Sequence, residues 1–357
     1  MLTGNKGEWS EIYAFLKLLA DKKLYAGDAN LQINTEQFYP IIKIIRYESD
    51  IRYQYTIDDD LVTITGGIEE KVIRSKVFER FAIILFEHIL ASDGSFAVPI
   101  IENFLNSIYC KTLKAKSNSK SDIFIVIHDK RTNSTHELGF SIKSQLGAES
   151  TLLNASQPTN FTFKINNFSP DEKLVDSINR IDTKSKVKDK IIAIKDIGGN
   201  LEFFALENNI FKNNLVLIDT ALPDIFAEIV LVFYTSKLNN ISELTAKIDE
   251  KNPLRYDKSS PHQFYQYKIK RFLTDVALGM VPKTVWTGTY DATGGYLVVK
   301  GTGEVVCYHI YNKNQFDDYL FLNTKLETAS TERHNFGNIY KENDEYFFKL
   351  NLQIRFK

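Results

Sequence analysis

The chain has 357 residues, 43% of them hydrophobic and 25% charged, with a net charge of −1. Such a balance belongs to an ordinary globular protein with room for two domains, and it excludes a disordered chain or a uniformly basic nucleic-acid coat. Two distant cysteines, Cys110 and Cys307, exclude a disulfide framework and a cysteine zinc site and fit a reducing cytoplasm.

The opening "MLTGNKGEWSEIY" has no basic segment followed by an apolar run, so no signal peptide is expected. Apolar runs such as Phe81–Phe86 are far too short to cross a bilayer, so no membrane partner is expected either. Trp9, Ile12, Tyr13, Leu16 and Leu19 recur at helical spacing and predict a helix over residues 8–21, behind an entry loop at Thr3-Gly4-Asn5. Residues 36–75 alternate in strand-like runs, "FYPIIKIIRY", "IRYQYTI" and "LVTITGG", separated by Asp and Gly breaks. A helical block is expected from Lys76 to Leu113, then a basic Ser/Lys loop, "KTLKAKSNSK". An apolar strand at Ile123–Ile127, a polar turn and a second strand at Leu138–Ser144 read as a hairpin, and residues 159–166 as a third strand. One charged helix is expected from Ser169 to Lys190, followed by two short segments, "IIAIKDIGG" and "LEFFALE". Further helices are predicted in "LPDIFAEIVLVFY", "ISELTAKI" and "PHQFYQYKIKRFLTDVALGM". The C-terminal part is strand-rich, with "GGYLVVKGTGEVVCYHIY" as a hairpin turning at Gly301-Thr302-Gly303. The expected fold class is mixed α/β (α+β), in three parts: residues 1–110, 111–260 and 261–357.

One residue stands out against this pattern. Lys143 lies inside the second hairpin strand, in "HELGFSIKSQLG", and lysine is rarely buried without a partner. With the turn near Thr132–Asn133, Asp122 at the start of the first strand lies opposite Ser141 to Lys143 at the end of the second. Residues two apart share a strand face, so Ser141, Lys143 and an in-register Asp122 converge, with Gln145 next on that face. A carboxylate can hold Mg²⁺ with waters completing its sphere. The metal polarises a phosphate oxygen and acidifies a bound water, and a lysine orients that water and stabilises the extra negative charge. These are the parts for phosphodiester hydrolysis. A plain hairpin, with Lys143 reaching to solvent, would use the same spacing.

Several long words extend the pattern: "GNKGEWSEIYAFLKLLAD" (residues 4–21), "ELGFSIKSQLGAESTLLNAS" (137–156), "YLFLNTKLETASTERHNFG" (319–337) and "LNLQIRF" (350–356). In these words the chain resembles the HpaII-type restriction endonucleases from end to end. The resemblance implies a type II enzyme that recognises the palindrome CCGG in duplex DNA and cleaves after the first C with Mg²⁺. It implies a methyltransferase in the same system, without a stable complex. It also implies a PD-(D/E)xK core: a mixed sheet flanked by helices, with acid and lysine on adjacent antiparallel strands. On that pattern residues 1–110 wrap the core, 111–260 form it, and 261–357 are a β-rich DNA-recognition part. Asp122 then matches the metal-binding acid and Lys143 the motif lysine. Ser121 stands at the motif proline, and Ser141 stands where the motif has Asp or Glu. That second departure removes one metal carboxylate. Glu8 or Glu11 on the first helix would supply it, as an N-terminal-helix acid does in several nucleases of this fold. Glu137 lies about 13 Å from Ser141 along an extended strand, and Asp129 is close to the turn.

The segment from Lys111 to Lys143 holds seven Lys or Arg against three acids, a charge suited to phosphate contacts, Lys120 among them. Lys184, Lys186, Lys188 and Lys190 form a second basic cluster that a solvated helix face explains equally well. Asn154, Ser156 and Gln157 follow the lysine strand and are candidates for base or phosphate contacts, with capping and turn chemistry as the competing reading. Arg333, His334 and Asn335 lie in a Ser/Thr-rich segment. Arg333 suits guanine O6 and N7, and Glu332 suits cytosine N4. Gln353 and Arg355 alternate with apolar neighbours on the last strand and are expected to face DNA. The six histidines show no metal-nuclease spacing, and the Gly turns "TGGY" and "KDIGGN" lack a following Walker lysine. Two readings compete with the nuclease. Ser141 motivates a non-catalytic, sequence-specific DNA-binding protein on a decayed core, and the near-neutral charge motivates an enzyme acting on a small molecule. A homodimer would match protein symmetry to a palindrome.

Overall fold

The structure, a computed structural model, describes residues 1–114, 121–129 and 133–357. Lys120, much of the basic loop and the tip of the hairpin lie outside the described residues.

In chain order, α1 (Lys6–Asp21) leads to β1 (Lys23–Gly27), β2 (Ile33–Glu48), β3 (Ile51–Asp58), β4 (Leu61–Thr65) and β5 (Lys71–Arg74). The predicted helical block is two helices, α2 (Ser75–Ala91) and α3 (Pro99–Ser107), the second started by a proline at its first position. The hairpin follows as β6 (Ile123–Asp129) and β7 (Ser134–Ser144), then β8 (Thr151–Leu153) and β9 (Asn160–Asn166). The single charged helix expected at 169–190 is instead α4 (Glu172–Asn179) and α5 (Lys186–Asp196). The break has a local cause: Thr183 Oγ1 accepts the Ser185 amide at 3.2 Å, a side-chain bond that competes with the helical ladder. The segment "IIAIKD" extends α5, and β10 (Asn200–Leu206) follows. Helices α6 (Asn209–Ile218), α7 (Leu222–Thr235), α8 (Ile241–Lys251) and α9 (Phe264–Leu278) precede the hairpin of β11 (Gly295–Val299) and β12 (Val305–His309). The chain ends with α10 (Lys313–Leu322), β13 (Thr324–Leu326), α11 (Thr331–His334), β14 (Ile339–Glu342), β15 (Glu345–Asn351) and β16 (Ile354–Phe356).

These elements group into two units. The first holds residues 1–150, 277–279 and 290–319, and the second holds 151–276, 280–289 and 320–357. In the first unit one mixed sheet runs β1-β12-β11-β7-β6-β2-β3-β4-β5, and β1 also pairs with β2. The six strands β1, β12, β11, β7, β6 and β2 therefore close on themselves as a barrel. Closure depends on the length of β2. Its first part, Ile33 to Pro40, pairs with β1, and its next part, Ile41 to Ile45, pairs with β6. Pro40, which lacks an amide donor, sits at the handover between the two neighbours. The expected mixed sheet is present, and its closure into a ring was not anticipated.

The β11–β12 hairpin forms as predicted, with Gly303 at φ 86 donating its amide to Lys300. It does not belong to a separate C-terminal part, because β11 pairs in parallel with the lysine strand β7, Leu297 beside Ile142. The three-part division of the sequence is thus replaced by two discontinuous units.

Helix α1 opens with a capping box. Asn5 Oδ1 accepts the Glu8 amide at 3.1 Å, and Glu8 Oε2 accepts the Asn5 amide at 2.7 Å. Its apolar residues Trp9, Ile12, Phe15, Leu16 and Leu19 are fully buried in the core with Ile44, Ile125, Phe140 and Leu297. Each such side chain contributes roughly 1.5–3 kcal/mol of burial. Ser144 Oγ donates to Ser10 Oγ at 2.8 Å, which ties the end of β7 to this helix.

The second unit has a four-stranded sheet, β10-β9-β15-β14, and a three-stranded one, β8-β16-β13. Asn351 Nδ2 donates to Asn160 Oδ1 at 2.7 Å and to the Ser156 carbonyl at 2.8 Å within this unit's core. Among the described residues no helix is long and apolar enough to cross a membrane.

Candidate active site

The β6–β7 pairing is antiparallel and sets Ile123 beside Phe140. One residue earlier, the Asp122 amide donates to the Phe140 carbonyl at 2.8 Å. Its carboxylate turns onto the lysine strand: Oδ2 accepts the Ile142 amide at 2.7 Å and the Ser141 hydroxyl at 3.1 Å. Oδ1 takes no hydrogen bond from the described residues. Ser141 is buried, so the neutral residue at the acid position holds Asp122, where a second carboxylate at that distance would repel it.

Ser121 is buried as well, and its hydroxyl donates to the Asp291 carbonyl at 2.7 Å. That contact joins the start of β6 to the loop before β11, and Gly139 leaves room for it. A Cβ at Gly139 would stand 2.2 Å from Ser121 Oγ and 3.2 Å from the Asp291 carbonyl oxygen. Gly139→Ala is expected to destabilise the protein by about 1–3 kcal/mol through overpacking, read as a lowered midpoint in urea unfolding.

Of the two acids proposed for α1, Glu11 is half-buried and lies within electrostatic reach of Asp122. Burial pushes its carboxyl up to about 8, with the charge of Asp122 adding to the shift and Arg46, Lys114 and Lys143 opposing it. Arg46 is itself buried, donates to the Thr112 carbonyl at 2.9 Å and lies over the Phe15 ring. Glu8 is committed elsewhere, to the capping box and to Lys114 at 2.6 Å, and the hydrogen bond from Lys114 holds its carboxyl below the usual range. In the metal-free protein Glu11 has a consequence for stability. Its folded pKa stands near 8 against an ordinary 4.5, so the folded chain keeps a proton that the unfolded chain releases. The stability from this group, complete below pH 4.5, is lost as pH rises to about 8. Melting temperatures over that window should fall for the wild type and fall less for Glu11→Gln.

Lys143 is half-buried. Among the described residues no carboxylate lies within ion-pair distance of its Nζ, which instead sits 5.1 Å from the centroid of the Tyr296 ring. Burial holds its pKa below the ordinary lysine value, opposed by the charges of Asp122 and Glu11. Asp122 and Glu11 thus act on Lys143 through their charges and not through a direct ion pair. Among the described residues no group of three or more His, Cys, Asp or Glu forms a metal cage. The site offers two carboxylates, and such hard oxygen donors suit a hard divalent cation.

Residues 5–356 match the HpaII restriction endonuclease family. The chain belongs to that family. A similar protein, "Type II restriction enzyme HpaII" of Haemophilus parainfluenzae, is 49% identical over 358 residues, which cover 99% of this chain and 98% of that one. No solved structure matches. As a member of the HpaII family the chain is a restriction endonuclease, a hydrolase acting on DNA within a restriction–modification system. Type II restriction enzymes generally need a divalent metal.

Elsewhere on this HpaII-family chain the expected DNA contacts divide sharply. Gln145 is exposed at the end of β7 in the first unit. Asn154 and Gln157 are exposed in the second unit, but Ser156 between them is buried and caps the turn at Gln157–Thr159. Its burial removes it from the DNA candidates. Arg333 is exposed and its guanidinium has no partner among the described residues. Glu332 is paired with Lys186 at 2.7 Å, and that hydrogen bond holds its carboxyl down to about 2. His334 is half-buried, its carbonyl accepting from Asn160, and Asn335 ends α11 in the left-handed region at φ 51. Arg355 is paired with Glu327 at 2.6 Å, and Gln353 lies half-buried just before β16 rather than on it. Glu137 is paired with Arg52 at 2.6 Å. Lys190 is buried against Asn338 Oδ1 at 2.6 Å, which removes it from the second basic cluster. Lys184, Lys186, Lys188 and Lys237 line a cleft of about 500 Å³ with Ser185, Ser236, Thr328 and Ser330.

Tyr296, Arg46 and Lys114 bear on the site, and none was singled out from the sequence. In the sequence Tyr296 reads only as the end of the Gly turn "TGGY". The available signal was an aromatic at the start of an apolar strand, which says nothing about a neighbouring lysine.

Proposed function

We propose that the protein is a Mg²⁺-dependent type II restriction endonuclease that cuts duplex DNA at CCGG, after the first C. The observation that carries the reading is the Asp122 carboxylate held on the strand of Lys143, with Glu11 in electrostatic reach of both, in one unit of a chain belonging to the HpaII family. The strand order β2-β6-β7-β11, antiparallel, antiparallel and then parallel, supports a PD-(D/E)xK-like core with acid and lysine on neighbouring strands. Asp122 Oδ1 and the Glu11 carboxylate would hold the Mg²⁺, and Glu11 takes the place of the carboxylate missing at Ser141. When bound, the metal polarises a phosphate oxygen and acidifies a coordinated water. Ser141 and the Ile142 amide fix the Asp122 carboxylate. Lys143 points its N–H donors at the reacting phosphate and stabilises the added charge. The decayed-core reading rests on Ser141, and the role proposed for Glu11 answers it.

A homodimer on the DNA matches the two-fold of the palindrome, and a methyltransferase marking the same site protects host DNA in the cytoplasm. Gln145, Asn154, Gln157, Arg333 and Asn335 are the exposed polar side chains among the candidates left to read bases or grip the backbone, Arg333 aimed at guanine. The test is a plasmid digestion with Mg²⁺ and mapped ends. Discrete fragments ending inside CCGG are expected, and no discrete fragments with any divalent metal would sink the proposal.

Lys184, Lys188 and Lys237 are assigned to backbone phosphates. Converting all three to Gln should reduce the slope of log affinity against log salt by about 0.9 per lost contact, with the preference for CCGG over other duplexes unchanged. A control triple at Lys247, Lys251 and Lys258, all paired with acids, separates local contact from net charge.

A further inference from the structure

Lys143 needs something to offset its burial that does not consume its donors. A carboxylate partner would occupy its N–H groups, whereas an aromatic face attracts the charge and leaves all three donors free. Tyr296 provides such a face. It stands on β11 beside Ser141, while Val298 is the direct neighbour of Lys143, so the ring lies one pleat along on the shared face. It is 2% exposed, its hydroxyl donates to the Ala277 carbonyl at 3.2 Å, and Phe316 packs edge-on at 5.4 Å. The ring is therefore a fixed platform, held from both ends, with Lys143 Nζ 5.1 Å from its centroid.

We propose that Tyr296 is a positioning residue for the reaction, its ring holding the Lys143 ammonium by a cation–π contact with the N–H donors left for the scissile phosphate. The inference rests on the nuclease reading above. A merely structural tyrosine would be replaceable by any aromatic of the same shape. A cation–π platform is sensitive to the electrons of the ring.

The experiment places Phe and successively fluorinated phenylalanines at position 296 of the full-length protein. Single-turnover cleavage of a CCGG duplex is followed with Mg²⁺, and duplex affinity is measured without metal. Shape and packing stay nearly constant, so folding is preserved. The logarithm of the rate should fall steadily with each fluorine, to roughly tenfold below Tyr296→Phe, while affinity holds. A rate that ignores fluorination overturns the proposal, as does Tyr296→Phe losing as much as Tyr296→Leu. A second readout needs no cleavage. With ¹³Cε-labelled lysine, the ε-methylene protons of Lys143 should be shifted upfield by the ring current and return to normal in Tyr296→Leu. An unshifted signal in the wild type overturns the contact. A wild type that shows the shift and cuts no DNA overturns the nuclease reading and the positioning role with it. A cutting wild type without ring dependence overturns the role of Tyr296 alone.

Discussion

Asp122→Ala is expected to slow single-turnover cleavage of a CCGG duplex by roughly 10³-fold or more, while the same duplex is still bound specifically. The substitution removes the oxygen proposed for the metal and leaves Glu11 as the single carboxylate at the site. It also strips the acceptor from the Ile142 amide and the Ser141 hydroxyl. Unpaired donors there cost about 1–3 kcal/mol, so thermal unfolding should accompany the kinetics. Asp122→Asn keeps an acceptor for the amide and separates the two effects: cleavage should still be lost while most of the stability returns. If Asp122→Ala cuts at the wild-type rate, the assignment of the metal acid is wrong.

Glu11→Gln should have the second largest effect, and its contrast with Glu8→Gln is the informative part. The two acids lie three apart on one helix. Glu11 lies within electrostatic reach of Asp122 and Lys143, whereas Glu8 is held by Asn5 and Lys114. Removing the Glu11 charge leaves Asp122 as the single carboxylate at the site. The rate at limiting Mg²⁺ should drop roughly 10²-fold or more, with part recovered at high metal concentration. Glu8→Gln keeps an acceptor for the Asn5 amide, as Gln serves in a capping box, loses only the charge paired with Lys114, and should leave the metal dependence in place. A Glu11→Gln protein with an unchanged Mg²⁺ dependence would contradict the site as built.

The hairpin that carries the chemistry was legible because its signals are local. Alternating apolar residues defined β6 and β7, and antiparallel pairing then determined which residue faced Asp122. Spacing on α1 could bring out Glu8 and Glu11 together but could not rank them, since the decision rests on Lys114 and the capping box. Barrel closure was not legible either. It depends on β2 being long enough to serve two neighbours, and pairings across such separations leave no short-range mark. The β11–β12 hairpin could be read from its turn. Its parallel seat against β7, which delivers Tyr296 to Lys143, could not. Among the DNA candidates, exposure decided what polarity alone could not: Ser156 is a buried cap and Arg355 an ion-pair partner, while Arg333 remains unengaged among the described residues.

The most direct test of the site is to locate a Mn²⁺ ion by anomalous scattering in crystals of the full-length protein bound to a CCGG duplex. The peak should lie about 2.0–2.2 Å from a carboxylate oxygen of Asp122 and of Glu11, with Lys143 Nζ facing the same phosphate. A peak held by Glu8 or Glu137 instead, or one that Glu11 does not touch, would contradict this account of how the carboxylate absent at Ser141 is replaced.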